Sequence, residues 1–338
     1  MNGKIKSLDG IRAIAVFLVI IAHATGIYYH EYEASLGGIS QFGVWLFFVL
    51  SAFLLTNRFV TTGFSWRSLL SYILGRSMRI LPVFAIAVLV YSYFGYFDLN
   101  MAYSIITMKE AALHFWTIPI EYKFYYILPF IAFAGIYLGK ISNWNISALL
   151  LAVSAIVFNI LSPNVMWYIP IFLFGMSAAF LYQKKSLNFG GKFYDLIFIF
   201  FLLSVIFALP KVMHMITGSY SDGWVLNKFV FYSPIFALVI LMMSYGEGFF
   251  AKILSSPVLS YIGKWSFSIY LWHFLILAMG VWFVGMNFYM YIFTMIASVF
   301  VGAISFYLIE NPMEKLRHKI MSMITSKRIS DKAIGKEA

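Results

Sequence analysis

Apolar residues in this chain do not alternate in the short groups of a water-soluble domain; they run in ten stretches of roughly membrane-spanning length. The stretches lie near 11-29, 39-57, 80-97, 117-138, 146-162, 165-182, 193-210, 229-245, 265-284 and 287-309. Because a helix needs about 20 apolar residues to cross the hydrocarbon core of a bilayer, this pattern predicts an all-α polytopic membrane protein of about ten transmembrane helices. Between the second and third stretches, Ser65-Trp66-Arg67-Ser68-Leu69-Leu70 through Arg76-Ser77-Met78-Arg79 keeps apolar residues at helical spacing behind a capping serine. That segment predicts an interfacial or re-entrant helix stopped near Pro82.

The polar positions orient the spans. With the N terminus inside, cytoplasmic segments collect 20 of the 24 Lys and Arg residues, Arg58, Arg67, Lys140, Lys252 and Lys264 among them. The outer loops hold only Lys109, Lys211 and Lys228, and Lys123 falls within a span. Cytoplasmic loops carry such an excess, so the asymmetry predicts both termini in the cytoplasm. The first apolar run is long and lacks a small-x-small cleavage site, ending in Gly26-Ile27-Tyr28-Tyr29-His30-Glu31. It reads as a retained first helix rather than a signal peptide. One membrane domain, 1-312, then uses nearly the whole chain, and a basic cytoplasmic tail, 313-338, frays or lies on anionic lipid.

Composition agrees: 62% of residues are hydrophobic, 20% aromatic and only 11% charged, with a mean hydropathy of +0.87. The formal charge of +11 sits in short loops and the tail, so it is read as topology rather than as a nucleic-acid surface. The chain has no cysteine, which excludes disulfides, thiolate nucleophiles and cysteine-based metal sites.

Candidate chemistry begins in the first span. Arg12 and His23 are eleven positions apart, which returns His23 to within about 20° of Arg12 on one helix face, about 16 Å further along the axis. An imidazole at that depth is costly unless it faces a polar pocket, so it is a functional-site hypothesis, with general-base chemistry the natural use. Arg76 and Arg79, at i and i+3, present convergent guanidinium forks. Two readings stand for that pair: arginines snorkelling to headgroups, or a phosphate clamp for a cytoplasmic cofactor. Glu121 begins the fourth span at a depth where it could meet and orient His23; a local pairing with Lys123 is the alternative. His273 is expected to make a structural hydrogen bond to a neighbouring helix, and Ser51 to be a packing serine. Glu310, in Glu310-Asn311-Pro312, is expected to pair with a cytoplasmic arginine. The spacing of histidines and carboxylates suggests no metal site.

Taken in order, these segments resemble the acyltransferase-3 family of integral membrane acyltransferases. The resemblance is carried by Leu8-Asp9-Gly10-Ile11-Arg12-Ala13, His23, Phe47-Phe48-Val49-Leu50-Ser51 and Arg76-Ser77-Met78-Arg79-Ile80-Leu81-Pro82. It continues through Glu121 with Phe124-Tyr125, Ser268-Ile269-Tyr270-Leu271-Trp272-His273 and Glu310-Asn311-Pro312. Two positions depart from the family's habit: Ala52 follows the serine where glycine is usual, and Trp45 stands where an acidic residue is common. What the resemblance implies is a ten-helix domain of the bacterial cytoplasmic membrane that moves an acyl group, usually acetyl, from acyl-CoA to a hydroxyl of a cell-envelope glycan such as O-antigen or exopolysaccharide. Arg12, Arg76 and Arg79 would serve acetyl-CoA, and His23 the proton transfer, with lipid and a lipid-linked saccharide as partners and no metal. The rival from another class is a proton-coupled transporter of an anionic substrate, with His23 and Glu121 as its relay.

Overall fold

A computed structural model describes residues 5–36, 38–161, 168–183, 189–218 and 228–334. The residues at 162–167, next to the fifth and sixth apolar stretches, and the cations Lys4, Lys184, Lys185 and Lys336 lie outside the described residues. The described residues form helices and connections, with no strand. In chain order the α-helices are α1 Lys6–Tyr28, α2 Ile39–Thr62, α3 Trp66–Tyr93, α4 Leu99–Ile106, α5 Thr117–Ile141, α6 Trp144–Leu161 and α7 Ile169–Gln183. They continue as α8 Gly191–Phe207, α9 Pro210–Thr217, α10 Phe229–Ser244, α11 Phe249–Leu254, α12 Pro257–Val284, α13 Phe288–Ser305 and α14 Asn311–Ile334.

Each predicted apolar stretch falls on one of these helices. By length and composition 7 helical segments could cross a membrane on their own, and the pair α8–α9, bent by 80°, is an eighth candidate. Helices α7 and α10 are apolar but shorter, at 15 and 16 residues. The outward surface is as apolar as the interior: on α5, Tyr126, Phe130, Phe133 and Tyr137 are all exposed at spacings of four, three and four. A stripe of large apolar side chains facing outward at helical period needs lipid around it rather than water. The chain is a multi-pass membrane protein.

Helix α1 is enclosed between α2 and α12, which places Arg12 and His23 at the centre of the bundle. Close approach makes this possible, because a Cβ on Gly263 of α12 would fall on the backbone carbonyl of Asp9 in α1. A similar contact absorbs Ala52. Its methyl faces Gly175 of α7, and that glycine leaves the room a glycine at 52 would otherwise supply. Trp45 is fully buried, packed against Phe42 and Phe229.

One expectation is corrected. The segment from Ser65 to Pro82 is not a separate interfacial or re-entrant helix; it is the first half of α3, which runs through Pro82 without stopping. Its start is as predicted, with Ser65 Oγ accepting from the Ser68 N–H at 3.1 Å and Ser68 Oγ accepting from the Ser65 N–H at 2.8 Å. Continuity follows from burial. Tyr72, Ile80, Val83, Phe84 and Ala87 make one inward face across the proline, and Tyr72 Oη donates to the Tyr125 carbonyl at 2.8 Å. Such packing outweighs the single backbone hydrogen bond that a proline removes.

The chain after Pro312 continues as α14, described to Ile334. Its Arg317, only 8% exposed, donates to Ser71 Oγ of α3 at 3.1 Å, and Arg58 of α2 donates to the same oxygen at 2.8 Å. A π-helical turn, Phe306–Glu310, joins α13 to α14 and turns Glu310 into the protein, where it is 3% exposed.

Candidate active site

Three arginines from two helices converge on one cavity. Arg12 of α1 and Arg76 and Arg79 of α3 line it, together with Ser51 of α2, Glu121 and Tyr125 of α5 and Tyr270 of α12. The i,i+3 spacing puts Arg76 and Arg79 on one face, and the burial of α3 turns that face toward α1. Carboxylates hold the outer two: Arg12 lies 3.7 Å from Asp9, and Arg79 Nε lies 3.6 Å from Glu310. Glu310 in turn accepts from Ser268 Oγ at 2.5 Å, so the arginine pairing expected of it is realised. Arg76 differs. Its guanidinium carbon sits 5.7 Å above the Tyr125 ring, and its Nε is buried with no hydrogen-bond partner. A buried donor left unpaired beside two further guanidinium groups makes this wall receptive to an anion.

Glu121 belongs to this cavity and not to His23. It accepts hydrogen bonds from Ser51 Oγ at 2.7 Å and from Tyr125 Oη. The expected contact with His23 is therefore corrected: the side chain of Glu121 turns to the arginine side, where a hydroxyl and a phenol satisfy the carboxylate. Ser51 is likewise more than a packing residue, since it lines the cavity and carries one of those two bonds.

A second cavity adjoins the first. His23, Ser40, Gln41, His114, Trp116 and Phe274 line it, and Val44 and Tyr270 belong to the linings of both. Arg12 and His23, on one face of α1 as their spacing requires, thus open into neighbouring compartments. The imidazole of His23 meets that of His273, with Nδ1 of the first 2.8 Å from Nε2 of the second. His273 Nδ1 lies 2.6 Å from the Tyr270 carbonyl oxygen.

Hydrogen-bond accounting then assigns the protons. A carbonyl oxygen only accepts, so His273 Nδ1 carries a hydrogen, and in the neutral ring its Nε2 holds the lone pair. That lone pair accepts from His23 Nδ1–H. His23 Nε2 is left unprotonated, the state a general base requires. The hydrogen bond to a neighbouring helix expected of His273 exists, and the neighbour is His23 itself.

His114 was not singled out by the sequence reading, and it completes the cluster. It sits in a short 3-10 turn, Leu113–Trp116, ahead of α5, and its ring centroid is 5.0 Å from that of His273. His114 Nε2 donates to the Leu271 carbonyl at 3.2 Å, and its Nδ1 is buried with no partner. Tyr270 was missed as well. Its hydroxyl donates to the His114 carbonyl and accepts from Thr117 Oγ1 at 2.9 Å, which ties α12 to the start of α5 between the two cavities. The available signal for His114 was a histidine three residues ahead of an apolar span; for Tyr270 there was none beyond its nearness to His273. Among the described residues no group of three or more His, Cys, Asp or Glu side chains is arranged to hold a metal ion.

Comparison with known proteins places this architecture. The chain is 25% identical over 368 aligned residues to the O-acetyltransferase OatA of Staphylococcus aureus, an alignment covering 96% of this chain and 59% of that protein. It is also 25% identical over 369 residues to the peptidoglycan O-acetyltransferase OatA of Listeria monocytogenes, covering 92% and 56% of the two chains. The chain therefore spans little more than half the length of these curated relatives. No solved structure matches it. A family profile described as an acyltransferase domain matches residues 5–309, which include both cavities and every helix from α1 to α13, and by that match the chain belongs to the acyltransferase-3 family of integral membrane acyltransferases.

Proposed function

We propose that the protein is an acyl-CoA-dependent O-acyltransferase, in the first instance an O-acetyltransferase, that modifies a hydroxyl of a cell-envelope glycan at the bacterial cytoplasmic membrane. One observation carries this reading: an arginine-lined cavity and a histidine cavity share a wall at Val44 and Tyr270. The first offers guanidinium groups to the phosphates of a nucleotide donor, and the second offers a base to a hydroxyl. The relatives named O-acetyltransferases agree with transfer to oxygen.

The dimensions suit this division. Arg12 and His23 are separated by about 16 Å of helix, on the order of an extended pantetheine arm. The arginine cavity itself is narrow, with a volume of about 70 Å³. It admits the pantetheine arm, which carries the thioester to the wall shared with the histidine cavity, while the nucleotide stays at the mouth, where Arg12 and Arg79 are 18% and 27% exposed. The positive-inside asymmetry sets that mouth toward the cytoplasm and its acyl-CoA.

In the reaction, His23 Nε2 takes the proton of the acceptor hydroxyl as its oxygen attacks the thioester carbonyl. The carbon–sulfur bond breaks, the ester forms, and the CoA thiolate recovers the proton from His23. A thioester is already activated, so positioning and proton transfer suffice. His273 holds the base in the correct tautomer, and Ser51 and Tyr125 hold Glu121 against the donor wall.

Purified protein incubated with radiolabelled acetyl-CoA and envelope glycan tests this directly. Label should pass to glycan, and His23→Ala should stop the transfer while acetyl-CoA still binds. Uptake of an anion by proteoliposomes with no labelled ester would favour the transporter instead.

A further inference from the structure

Beyond the histidine cavity lies a third, of about 340 Å³, within the size range of small-molecule sites. Trp116 lines both, and Val44 and Tyr270 join the histidine cavity to the arginine cavity, so the cavity of His23 adjoins each of the other two. The ring of Trp116 and that of Tyr168 are 5.6 Å apart between centroids and tilted by 39°, and both face this outermost cavity. Lys109, Glu110 and Lys123 supply its polar lining.

Backbone strain gathers at the same place. Among the described residues only Met108, Leu113 and Tyr168 have a positive φ without being glycine, at 59°, 49° and 49°. Met108 and Tyr168 line the outermost cavity, and Leu113 lines the histidine cavity next to it. Non-glycine residues are held in that region at some cost, and such strain concentrates where a ligand must be met. The unpartnered Nδ1 of His114, in a residue 4% exposed that lines the histidine cavity, adds an acceptor that a ligand hydroxyl would satisfy.

We infer that the Trp116–Tyr168 cavity binds the acceptor and that its occupant is a sugar ring of a glycan; the inference rests on the acyl-transfer reading for what the bound ring is used for. The electron-rich faces of Trp116 and Tyr168 suit the C–H face of a pyranose, while Lys109, Glu110 and Lys123 suit its hydroxyl and carbonyl groups. A ring seated there projects a hydroxyl past Trp116 toward His23 Nε2 and His114 Nδ1. Donor and acceptor then enter the His23 cavity through different neighbours and meet only at the base.

The absence of cysteine makes the test clean, because Lys109→Cys introduces the only thiol. Maleimide labelling of that thiol is timed in the full-length detergent-solubilised protein, alone, with acetyl-CoA, and with glycans released by mild acid from the envelope of the producing cell. Glu110→Cys is the second reporter on the same rim, and Ser322→Cys on α14 the control. Glycan should slow labelling at 109 or 110 by about tenfold, while acetyl-CoA and the control rate show no such effect. Equal labelling with and without a glycan that the wild-type protein acetylates would overturn the assignment. So would protection by acetyl-CoA alone, which would make the chamber part of the donor site. Glycans that protect the thiol but are never acetylated would leave the sugar site standing and sink the acyl-transfer reading. As a functional check, Tyr168→Ala should raise the KM for glycan about three- to tenfold, and an unchanged KM would remove the aromatic platform from the account.

Discussion

The arginine cavity and the histidine cavity are neighbours built by opposite means. Two of the three arginines come from one turn of α3 and Arg12 has its carboxylate, Asp9, on its own helix, while Arg79 draws Glu310 from the turn before α14. The histidines come from α1, the turn before α5, and α12, at positions 23, 114 and 273, and no carboxylate touches them in the described structure. Charge on the arginine side is partly neutralised by nearby carboxylates and, on the proposed function, would anchor the donor. On the histidine side a chain of neutral imidazoles and carbonyls fixes protons without fixing charge. The difference suggests that donor binding tolerates local rearrangement, whereas the base depends on the whole bundle keeping its register.

The largest test of that contrast is topological. The two cavities serve donor and acceptor from opposite sides only if the chain ends are cytoplasmic, so a reporter fused after Ala338 should be active only inside and one inserted near Glu33 only outside. A C terminus active outside would reverse the assignment of the cavities. Next in size, His23→Ala should lower transfer by about 10²- to 10⁴-fold at equal membrane abundance, with acetyl-CoA binding retained. In the wild type the rate should fall with acidification, since only the neutral ring accepts a proton; a flat profile would argue against His23 as the base.

Losing the orienting partner should cost less than losing the base. His273→Ala should reduce kcat by about ten- to a hundredfold with little change in acetyl-CoA affinity. His273→Gln, whose amide oxygen can still accept from His23 Nδ1–H, should recover part of it. Equal damage from Ala and Gln, accompanied by lost thermal stability, would mean that His273 only packs. On the arginine side, Arg76→Lys or Arg79→Lys keeps the charge and loses the fork, and should weaken acetyl-CoA binding by about tenfold while kcat at saturation changes little. Unaltered affinity in both variants would return the pair to topology. The smallest effect is expected at Ser71→Ala, which removes the oxygen shared by Arg58 and Arg317. It should cost about 1 kcal/mol of stability and loosen α14 from α3 without touching transfer, as thermal melts and activity together would show.

These outcomes divide along a line visible in the residues. The Ser65 cap, the facing of Arg76 with Arg79, and the shared face of Arg12 and His23 are matters of spacing within one helix, and each was legible. The path of α3 through Pro82 was not, because a proline signals a break and only the buried face spanning it argues otherwise. Glu121 was given the wrong partner, since it meets Ser51 and Tyr125 on the arginine side and not His23. Depth follows from position in the span, but the partner depends on how α5 is rotated against α2 and α3.

By itself the sequence determined that this is a helical membrane protein, where its apolar segments lie, and which residues share a face within α1 and α3. Only the tertiary structure decided that His23 rests on His273, that His114 joins them, that Ser51 and Tyr125 hold Glu121, and that the His23 cavity shares lining residues with two others. The physical reason is that helices apolar on nearly every side do not announce which face turns inward. Periodicity sets neighbours along a helix, whereas the meeting of residues 23, 114 and 273 is set by close backbone contacts such as that of Gly263 on Asp9, which fix how the helices are rotated and how near they lie.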